Sequence, residues 1–502
     1  MSAVEETAPP GASPPGGSPL GVPTRLGLVA LVGGGLLSAA AVAALVTAGN
    51  YQLAAAAALI VPIGLLMYQR PFSAIVVWLL VAPLVMVVDG GGGGRRVFWL
   101  VHRFLPLAAV GAILMRAVLA QAVDRLPRLG LPELCMAGYV VASVVSVLYT
   151  SPEPLADIYL LYDRIVVPML LYVVIRLSRP SDQDLRSWYL VLVVLVLSQA
   201  AIGILSWVAP EVLPSHWLNR AGSRTTGSLR HPNVYAISLL FAAVLCLHLA
   251  GRAGGWLGRR VLPSVVLVVA CAMAFLTLSR AAWLATIVML AGVARLHLRA
   301  ALVAMTVAVV AVIGLLQTDV LVVDAADVSD RFYSSASEQS ALSRLPVVMA
   351  SLGMFEAKPM TGWGYGRFDD FDHQFQRPID RLYVPDKDHA SHNFYLTLLA
   401  EQGLPGFLLY VVPAVWLLVQ SHRYGIWRAG SPDWRLAVSL WLVIAGHVII
   451  SNFANMRVAF GLGVWWVSLA LIATLVDRAR LARAVARSPL PTLAPLLRAG
   501  PS

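Results

Sequence analysis

The residues best suited to catalysis stand at the start of the segment 391–406, which reads SHNFYLTLLAEQGLPG. His392 and Asn393 open a short amphipathic pattern that ends in Gly-Leu-Pro-Gly, directly before an apolar run. A protonated imidazole is disfavoured in the first turn of a helix, because the helix dipole places partial positive charge there. A neutral imidazole can accept a proton, so we predict that His392 is a general base.

Three polar residues from this position onward recur with a helical period. Asn393, Thr397 and Glu401 are spaced four residues apart, which predicts that they share one face of a helix. Because an apolar run follows, we expect an interfacial helix whose polar face is turned toward water. The candidate base would then lie at a membrane surface.

Two further segments carry arginines that are candidates for binding an anion. Residues 220–233, RAGSRTTGSLRHPN, place three arginines with hydroxyls and glycines before a span, a composition that suits a pyrophosphate. The same arginines could instead meet lipid headgroups. Arg280 stands in a short turn between two apolar runs, so it must either reach the interface or face a polar cavity. A functional role and a topological role both remain open for Arg280.

A long polar loop, residues 317–403, precedes and includes the candidate base. Its glycine-rich stretch 361–368, TGWGYGRF, allows close approach of the backbone, and its aromatic side chains could stack on sugars or lie at headgroup level. The acidic residues Asp386 and Asp388 resemble a metal-binding pair, although so short a match in a polar loop is weak. The aromatic residues concerned are Trp363, Tyr365 and Phe368.

Composition identifies the elements that must position these residues as membrane-spanning helices. Apolar residues make up 59% of the chain and charged residues 13%, with a mean hydropathy of +0.76, whereas soluble domains carry about 25% charged residues. We predict an all-α polytopic membrane protein with about twelve to fourteen transmembrane helices and one large extracytoplasmic loop containing short interfacial helices. The predicted spans are 27–47, 51–67, 72–88, 97–119, 131–149, 157–177, 187–208, 232–250, 261–278, 281–297, 300–316, 404–419, 436–454 and 457–476.

The arginines predict the orientation of these spans. They concentrate in alternate loops and in the C-terminal tail, which indicates a cytoplasmic N-terminus and an outer location for 209–231, Arg280, 317–403 and 451–457. The net charge of +11 therefore reflects membrane topology. The arginines are scattered over short loops, which argues against a nucleic-acid-binding surface. The predicted organisation is a disordered cytoplasmic tail (1–24), an N-terminal transmembrane bundle (25–316), an extracytoplasmic catalytic loop (317–403), C-terminal transmembrane helices (404–476) and a basic cytoplasmic tail (477–502).

One charged pair falls inside a predicted span. Asp163 and Arg164 are adjacent at a depth where either charge alone would be costly. We expect them to form a mutual ion pair, which either lines a cavity or serves structure alone.

Three blocks of sequence, in the order in which they occur along the chain, resemble motifs of the O-antigen ligase and polymerase superfamily of bacterial membrane glycosyltransferases. The resemblance covers residues 220–410, and it departs from the family in having Ala281 where glycine is frequent and a longer loop after Phe368. The blocks are Arg224-Thr-Thr-Gly227…Pro232-Asn233, then Ser279-Arg280-Ala281, then Arg344…Pro359…Gly362-Trp-Gly364-Tyr-Gly366-Arg-Phe368, closed by His392-Asn393…Glu401-Gln-Gly403-Leu-Pro-Gly406.

The resemblance implies a GT-C-like enzyme in the cytoplasmic (inner) membrane, with its site on the periplasmic or extracellular side. It implies transfer of a glycan from undecaprenyl pyrophosphate to a hydroxyl on a glycan, lipid or protein, with inversion and with neither metal nor cofactor. His392 would deprotonate the acceptor, Arg224 and Arg280 would hold the pyrophosphate, and Arg220 and Arg344 would support them. The same blocks provide further candidates for binding substrate, namely Asn233, Gly364, Tyr365, Gly366 and Asn393.

Two alternatives remain at this point. A polymerase of exopolysaccharide or O-antigen would join repeat units by the same chemistry. A transporter or flippase of lipid-linked glycan would instead concentrate charges and broken helices near the midplane. Here the polar features concentrate in the outer loop and at the outer ends of spans, which favours an enzyme at the interface.

Overall fold

A computed structural model shows the chain as a bundle of helices. It describes residues 62–64, 66–85, 97–119, 126–127, 129–218, 224–250, 258, 261–316, 344–376 and 391–487, together with the isolated positions 40, 43, 44 and 47. Over these ranges the elements are helices and turns, and none is a β-strand. The predicted all-α class is therefore confirmed.

Twelve helices of ten residues or more are named here in chain order. Nine of them, among the described residues, are long and apolar enough to cross a membrane, whereas α1 and α7 are shorter apolar helices. They are α1 (Ser73–Val85), α2 (Trp99–Leu119), α3 (Leu131–Thr150), α4 (Pro154–Ser178), α5 (Asp182–Val208), α6 (Pro232–Ala250), α7 (Leu262–Phe275), α8 (Arg280–Leu316), α9 (Arg344–Ala357), α10 (Phe394–Tyr424), α11 (Trp434–Ser451) and α12 (Ala459–Arg487).

The predicted spans match these helices closely. Twelve of the predicted spans overlap apolar helices, and α8 covers two of them across a kink at His297. The first two predicted spans, 27–47 and 51–67, lie largely outside the described residues. Hydropathy predicts these elements well because a helix in a bilayer must satisfy its own backbone hydrogen bonds and present apolar side chains to lipid.

Two helices run through the middle of the bundle. In α6 and in α12, 94% of the apolar window is buried, against 33% in α3 and in the first part of α8. Helices that are apolar on every side pack inside a bundle, and helices with one apolar stripe lie outside it. Asn233, the second residue of α6, therefore belongs to a helix that the protein surrounds on every side.

The helix after the candidate base differs from the predicted interfacial helix. α10 runs from Phe394 to Tyr424 as two helical parts that meet at Gly403, where the backbone is non-helical, so the break predicted from the sequence is present. Thr397 and Glu401 are both 0% exposed, so the polar face is turned into the protein and the predicted orientation toward water is wrong. The reason is that this face has polar partners inside the bundle, which the spacing alone does not reveal.

Candidate functional site

The segment before α6 is tied to the turn between α7 and α8. The Arg224 Nε donates to the carbonyl oxygen of Thr277 over 3.0 Å. The backbone N–H of Thr225 donates to the carbonyl oxygen of Leu276 over 3.2 Å. The Ser279 hydroxyl donates to the Asn233 Oδ1 over 2.5 Å. These bonds bring the first two blocks of the sequence together, so that Arg224 lies beside the turn that presents Arg280.

A third arginine joins them from the outer loop. Arg344 is the first residue of α9, and its pKa is lowered by burial and by the positive charge of Arg280. Its Nε is buried without a hydrogen-bond partner in the described part of the chain. Two guanidinium groups held near each other, one of them incompletely bonded, favour an anion that bridges them.

The candidate base stands one residue outside its helix. His392 precedes the N-cap Asn393, whose Oδ1 accepts from the backbone N–H of Leu396 over 3.0 Å. The prediction that His392 lies in the first turn is therefore wrong by two positions. It is part-buried, and the segment is fixed beneath it by the buried Ser391, which accepts a hydrogen bond from Thr397.

Asn393 also connects the base to a neighbouring helix end. Its Nδ2 donates to the Oδ1 of Asn452 over 3.4 Å, at the end of α11. Its side chain therefore serves as a helix cap and an interhelical contact.

A second histidine in the site was not predicted from the sequence. Burial lowers the pKa of His231 to about 4, with smaller effects from Arg224 and His392, so this imidazole lies within electrostatic range of both. Its Nδ1 accepts from the backbone N–H of Val234 over 3.4 Å at the start of α6. The signal that could have revealed it is His-Pro-Asn before an apolar run, because His392-Asn393 likewise stands at a helix start.

The glycine-rich stretch packs against the kink of α10, and we call residues 359–368 and 400–404 together the glycine clasp. Trp363 N–H donates to Ala400 O over 3.0 Å, and Gly364 N–H donates to Glu401 O over 2.8 Å. Gly362 and Gly364 have φ angles of +65° and +114°, and a Cβ on Gly362 would lie 2.2 Å from the Glu401 carbonyl oxygen. The close approach predicted for these glycines is therefore an approach to the protein's own backbone.

The buried carboxylate of Glu401 connects the two parts of the glycine clasp. Its two carboxylate oxygens accept from the backbone N–H groups of Gly366 and Phe368 over 2.9 and 3.1 Å. The same carboxylate forms an ion pair with Arg457 in the segment between α11 and α12. Gly366 thus contributes a structural hydrogen bond, and a fully buried carboxylate is satisfied on every side.

The aromatic residues of the clasp are largely packed inward. Trp363 donates its Nε1 hydrogen to Met354 O over 2.9 Å, and Phe368 is buried beside Val347, so neither ring is an open platform for sugars. Tyr365 is buried under Arg457, with its backbone N–H bonded to Ser146 Oγ over 3.0 Å. Burial raises the pKa of Tyr365 to about 12, so its hydroxyl remains a hydrogen-bond donor at neutral pH.

Part of the chain matches a known protein family. Residues 265–411 match the model of the O-antigen ligase family. The chain carries a domain of the O-antigen ligase family. No curated protein matches the chain.

The O-antigen ligase domain extends from α7 into α10. It contains the α7–α8 turn with Arg280, the start of α9 with Arg344, the glycine clasp and His392, whereas Arg224 and His231 precede it. The family resemblance inferred from the sequence is confirmed. Nine helices of the described residues are long and apolar enough to cross a membrane, which indicates a multi-pass membrane protein, and the match to O-antigen ligases covers residues 265–411 of it.

The charged pair in α4 does not form as predicted. Asp163 makes two hydrogen bonds of 2.5 Å to Arg103 in α2, in place of a pair with its neighbour Arg164. Both partners lie in π-helical turns, Trp99–Phe104 and Tyr162–Val166, which alter the direction of successive side chains. The sequence could not reveal this, because the two turns meet only in the folded bundle.

Some predicted residues lie outside the described part of the chain. These are Arg220 and the acidic residues Asp386 and Asp388. Among the described residues, no group of three or more His, Cys, Asp or Glu side chains is arranged to hold a metal ion.

Proposed function

We propose that this protein transfers a glycan from undecaprenyl pyrophosphate to a hydroxyl acceptor at the outer face of the cytoplasmic membrane. His392 acts as general base, and Arg224, Arg280 and Arg344 bind the pyrophosphate, with Arg220 in support. The reaction inverts the anomeric carbon and needs neither a metal nor a cofactor. Asn233, Asn393, Tyr365, Gly364 and Gly366 shape the substrate cavity.

The convergence of arginines at helix starts supports this proposal. α6, α8, α9 and α10 begin near the residues concerned, and each start adds partial positive charge to that of the guanidinium groups. Hydrogen bonds link the starts of α6 and α8, and electrostatic contacts link Arg280 with Arg344 and Arg224 with His392 through His231. A diphosphate carries the charge and the acceptor oxygens that such a site binds best.

The proposed step is a single displacement. His392 takes the proton of the acceptor hydroxyl, and the oxygen forms a bond to the anomeric carbon as the bond from that carbon to the pyrophosphate oxygen breaks. The electron pair leaves with undecaprenyl pyrophosphate, and fixed guanidinium groups stabilise the added charge. Attack opposite to the leaving group inverts the anomeric carbon.

A transfer assay tests the proposal. Purified protein receives lipid-pyrophosphate-linked glycan with either a lipid-core acceptor or a second lipid-linked glycan, each with and without a chelator. We expect release of undecaprenyl pyrophosphate that His392→Ala lowers by about 10²–10⁴-fold. His373→Ala is the matched control, because His373 is an exposed histidine near the same clasp.

The outcomes separate the parts of the proposal. Unchanged release by the His392→Ala protein rejects the base assignment. Loss of product with chelator rejects metal independence and makes Asp386 and Asp388 the first candidates for ligands. The acceptor that becomes glycosylated distinguishes ligation from polymerisation, since the two reactions share this chemistry and differ in the acceptor.

A further inference from the structure

The turn between α11 and α12, residues 452–457, meets the first part of α10 at both of its ends. Asn452 accepts a hydrogen bond from the Nδ2 of Asn393 over 3.4 Å, and the Arg457 guanidinium forms an ion pair with the carboxylate of Glu401. Asn393 is the N-cap of α10, and Glu401 lies eight residues later, roughly 12 Å along the helix axis. One turn of the chain therefore contacts both ends of this helical part.

The first part of α10 depends on such contacts for its direction. The backbone of Gly403 is non-helical, with a φ of +63°, so the helical hydrogen bonding of residues 394–402 is interrupted before the second part of α10. A short helix joined to its neighbour through one glycine takes its direction from the side chains that hold it. Glu401 is fixed in the glycine clasp, whereas the opposite end, beside His392, is contacted by Asn452.

The orientation of each side-chain amide is fixed by a second partner. The Asn393 Oδ1 accepts from the backbone N–H of Leu396 over 3.0 Å, so its Nδ2 is the group turned away from the helix. The Asn452 Nδ2 donates to the carbonyl oxygen of Val448 over 2.9 Å, and a carbonyl oxygen only accepts. The Asn452 Oδ1 is therefore the group that faces Asn393, and the hydrogen bond between the two amides has one consistent direction.

The two neighbours of His392 in the chain are bonded to each other. The Ser391 hydroxyl donates to the carbonyl oxygen of Asn393 over 3.2 Å, and it accepts from the backbone N–H of Asn393 over 3.3 Å. The fully buried Thr397 donates its hydroxyl to Ser391 and its backbone N–H to the carbonyl oxygen of Asn393. Because these bonds enclose His392, a displacement of Asn393 moves the backbone of His392 with it.

We infer that Asn452 is a positioning residue for His392. Through Asn393 it sets the direction in which the start of α10 presents the imidazole to the acceptor hydroxyl. The role in transfer rests on the proposed function, whereas the contact that fixes the start of α10 does not. Asn452 lies outside the matched residues 265–411, so the C-terminal helices contribute to the site of that domain.

This role affects rate more than stability. Asn452 is exposed, so water replaces it as the partner of Asn393 when its side chain is removed, and little stability is lost. The placement of a base is more sensitive, because a displacement of about 1 Å can lower a rate about 10²-fold. Stability and turnover therefore respond differently to a change at Asn452.

The first experiment measures the start of α10 without turnover. Hydrogen–deuterium exchange with mass spectrometry follows residues 391–402 in phosphatidylcholine nanodiscs for three proteins: wild type, Asn452→Leu, which has a similar size but no acceptor, and Asn452→Asp, which keeps the acceptor. We expect exchange in Asn452→Leu to be about threefold faster or more, the effect of losing one ordinary hydrogen bond. The Asn452→Asp protein should match wild type, and α9 should exchange equally in all three.

A second substitution shows whether the effect passes through Asn393. Asn393→Ser keeps an oxygen that caps the helix and removes the Nδ2 that Asn452 contacts. We expect Asn452→Leu to add no further increase in exchange when it is combined with Asn393→Ser. An increase as large as in the wild-type background overturns the inference, and so does equal exchange of the wild-type and Asn452→Leu proteins.

The transfer assay tests the consequence for His392. We expect Asn452→Leu to lower kcat about tenfold or more, with little change in KM or in the unfolding temperature, and Asn452→Asp to retain most of the wild-type kcat. Phe453→Leu is the matched control, because Phe453 is the next residue of the same turn and is exposed.

The two readouts together decide the inference. A fall in kcat of the Asn452→Leu protein without faster exchange overturns it, because Asn452 would then act on the substrate directly. Faster exchange with unchanged kcat overturns the link to His392. Absence of transfer by the wild-type protein, together with faster exchange in Asn452→Leu, would reject the proposed reaction and confirm the contact that fixes the start of α10.

Discussion

Arg280 contributes a planar fork as well as a charge. It is the first residue of α8, and it lies within electrostatic range of Arg344, the first residue of α9. A lysine at this position keeps the charge but contacts one oxygen at a time, whereas a guanidinium contacts two. The shape of the side chain should therefore matter for holding the leaving group.

Arg280→Lys tests this difference. We expect turnover in the transfer assay to fall by about 10²–10³-fold, the usual effect of losing one aligned donor to a developing anion. Insertion and expression should stay normal, as judged by size-exclusion chromatography. Arg295→Lys, in the same helix, is the control, and near-normal turnover of the Arg280→Lys protein would reject the pyrophosphate clamp.

His231 gives the folded protein a specific sensitivity to acid. Its pKa falls from 6.5 to about 4 because it is buried, so below pH 6.5 the unfolded chain binds the proton more tightly than the folded one. The stability associated with neutral His231 is therefore complete above about pH 6.5 and is lost as the pH falls toward 4. Arg224 and His392 add to the effect.

His231→Asn should reduce this sensitivity while keeping the start of α6, because asparagine is a good helix cap. We expect the wild-type protein to lose about 1–2 kcal/mol more stability than the variant between pH 6.5 and 4, after allowing for partial exposure. Thermal unfolding in detergent over this range measures the difference. Parallel pH profiles for the two proteins would contradict it.

At the level of single residues, the sequence brought forward His392, Arg224, Arg280 and Arg344 by residue type and by their place in three blocks. The structure puts Arg280 within electrostatic range of Arg344, and Arg224 and His392 within that of His231, whereas their roles in catalysis and binding stay predictions.

The sequence predicts that Glu401 faces water, whereas its carboxylate is buried. The carboxylate finds its partners in Arg457 and in the backbone N–H of Gly366, which are distant in sequence. Whether a charged side chain can be buried depends on its partners in the folded protein, and the spacing of residues along one helix does not reveal those partners.

At the scale of elements, the glycine clasp links the outer loop to α10. Pro359 O accepts from Leu404 N–H over 2.8 Å, and Gly403 departs from helical geometry with a φ of +63° to make room for this contact. The kink of α10 and the turn of the loop therefore depend on each other. His392 stands at the start of the same helix, nine residues before Glu401.

Glu401→Gln tests how much the clasp contributes. The change leaves Arg457 buried without an ion-pair partner and presents an amide N–H₂ to backbone donors, so we expect a loss of about 3–5 kcal/mol. Thermal unfolding and proteolysis of the loop measure it. Glu356→Gln is the control, because Glu356 is exposed on α9, and an equal effect of both changes would show that the clasp contributes little.

Elements themselves were largely predictable, and the irregular turns inside them were predictable only in part. Spans follow from apolar length, which the bilayer enforces independently of tertiary contacts. The Gly-Leu-Pro-Gly sequence predicted a helix break, and the backbone of Gly403 is indeed non-helical, while the Leu404 N–H after it donates to Pro359 O of the outer loop. The π-helical turns of α2 and α4 have no sequence signal of this kind.

At the scale of the whole molecule, the two ends of the bundle carry different polar networks. At the end away from the site, Arg176 of α4 bonds to Glu133 of α3 over 3.0 Å and to Asp477 of α12 over 2.5 Å. Three helices are thereby tied together by one guanidinium. At the site end, by contrast, the Nε of Arg344 is buried without a hydrogen-bond partner among the described residues, so it can still donate to a ligand.

The orientation of these two ends in the membrane is the remaining prediction. The excess of arginines in alternate loops predicts that the site end lies outside and that the end near Asp477 lies in the cytoplasm. Met360 at the clasp and Arg480 near the end of α12 are both exposed, so a cysteine at either position can react with a maleimide. The natural residues Cys135, Cys246 and Cys271 are buried and give a low background.

We expect a membrane-impermeant maleimide to label the Met360→Cys protein in intact spheroplasts and the Arg480→Cys protein only after permeabilisation. Blocking with a permeant maleimide beforehand should abolish both signals, which shows that each cysteine is reactive. Labelling of the Arg480→Cys protein from outside, with the Met360→Cys protein protected, would place the arginines and His392 in the cytoplasm. A donor presented on the outer leaflet could then not reach them, because a pyrophosphate does not cross the hydrocarbon core unaided.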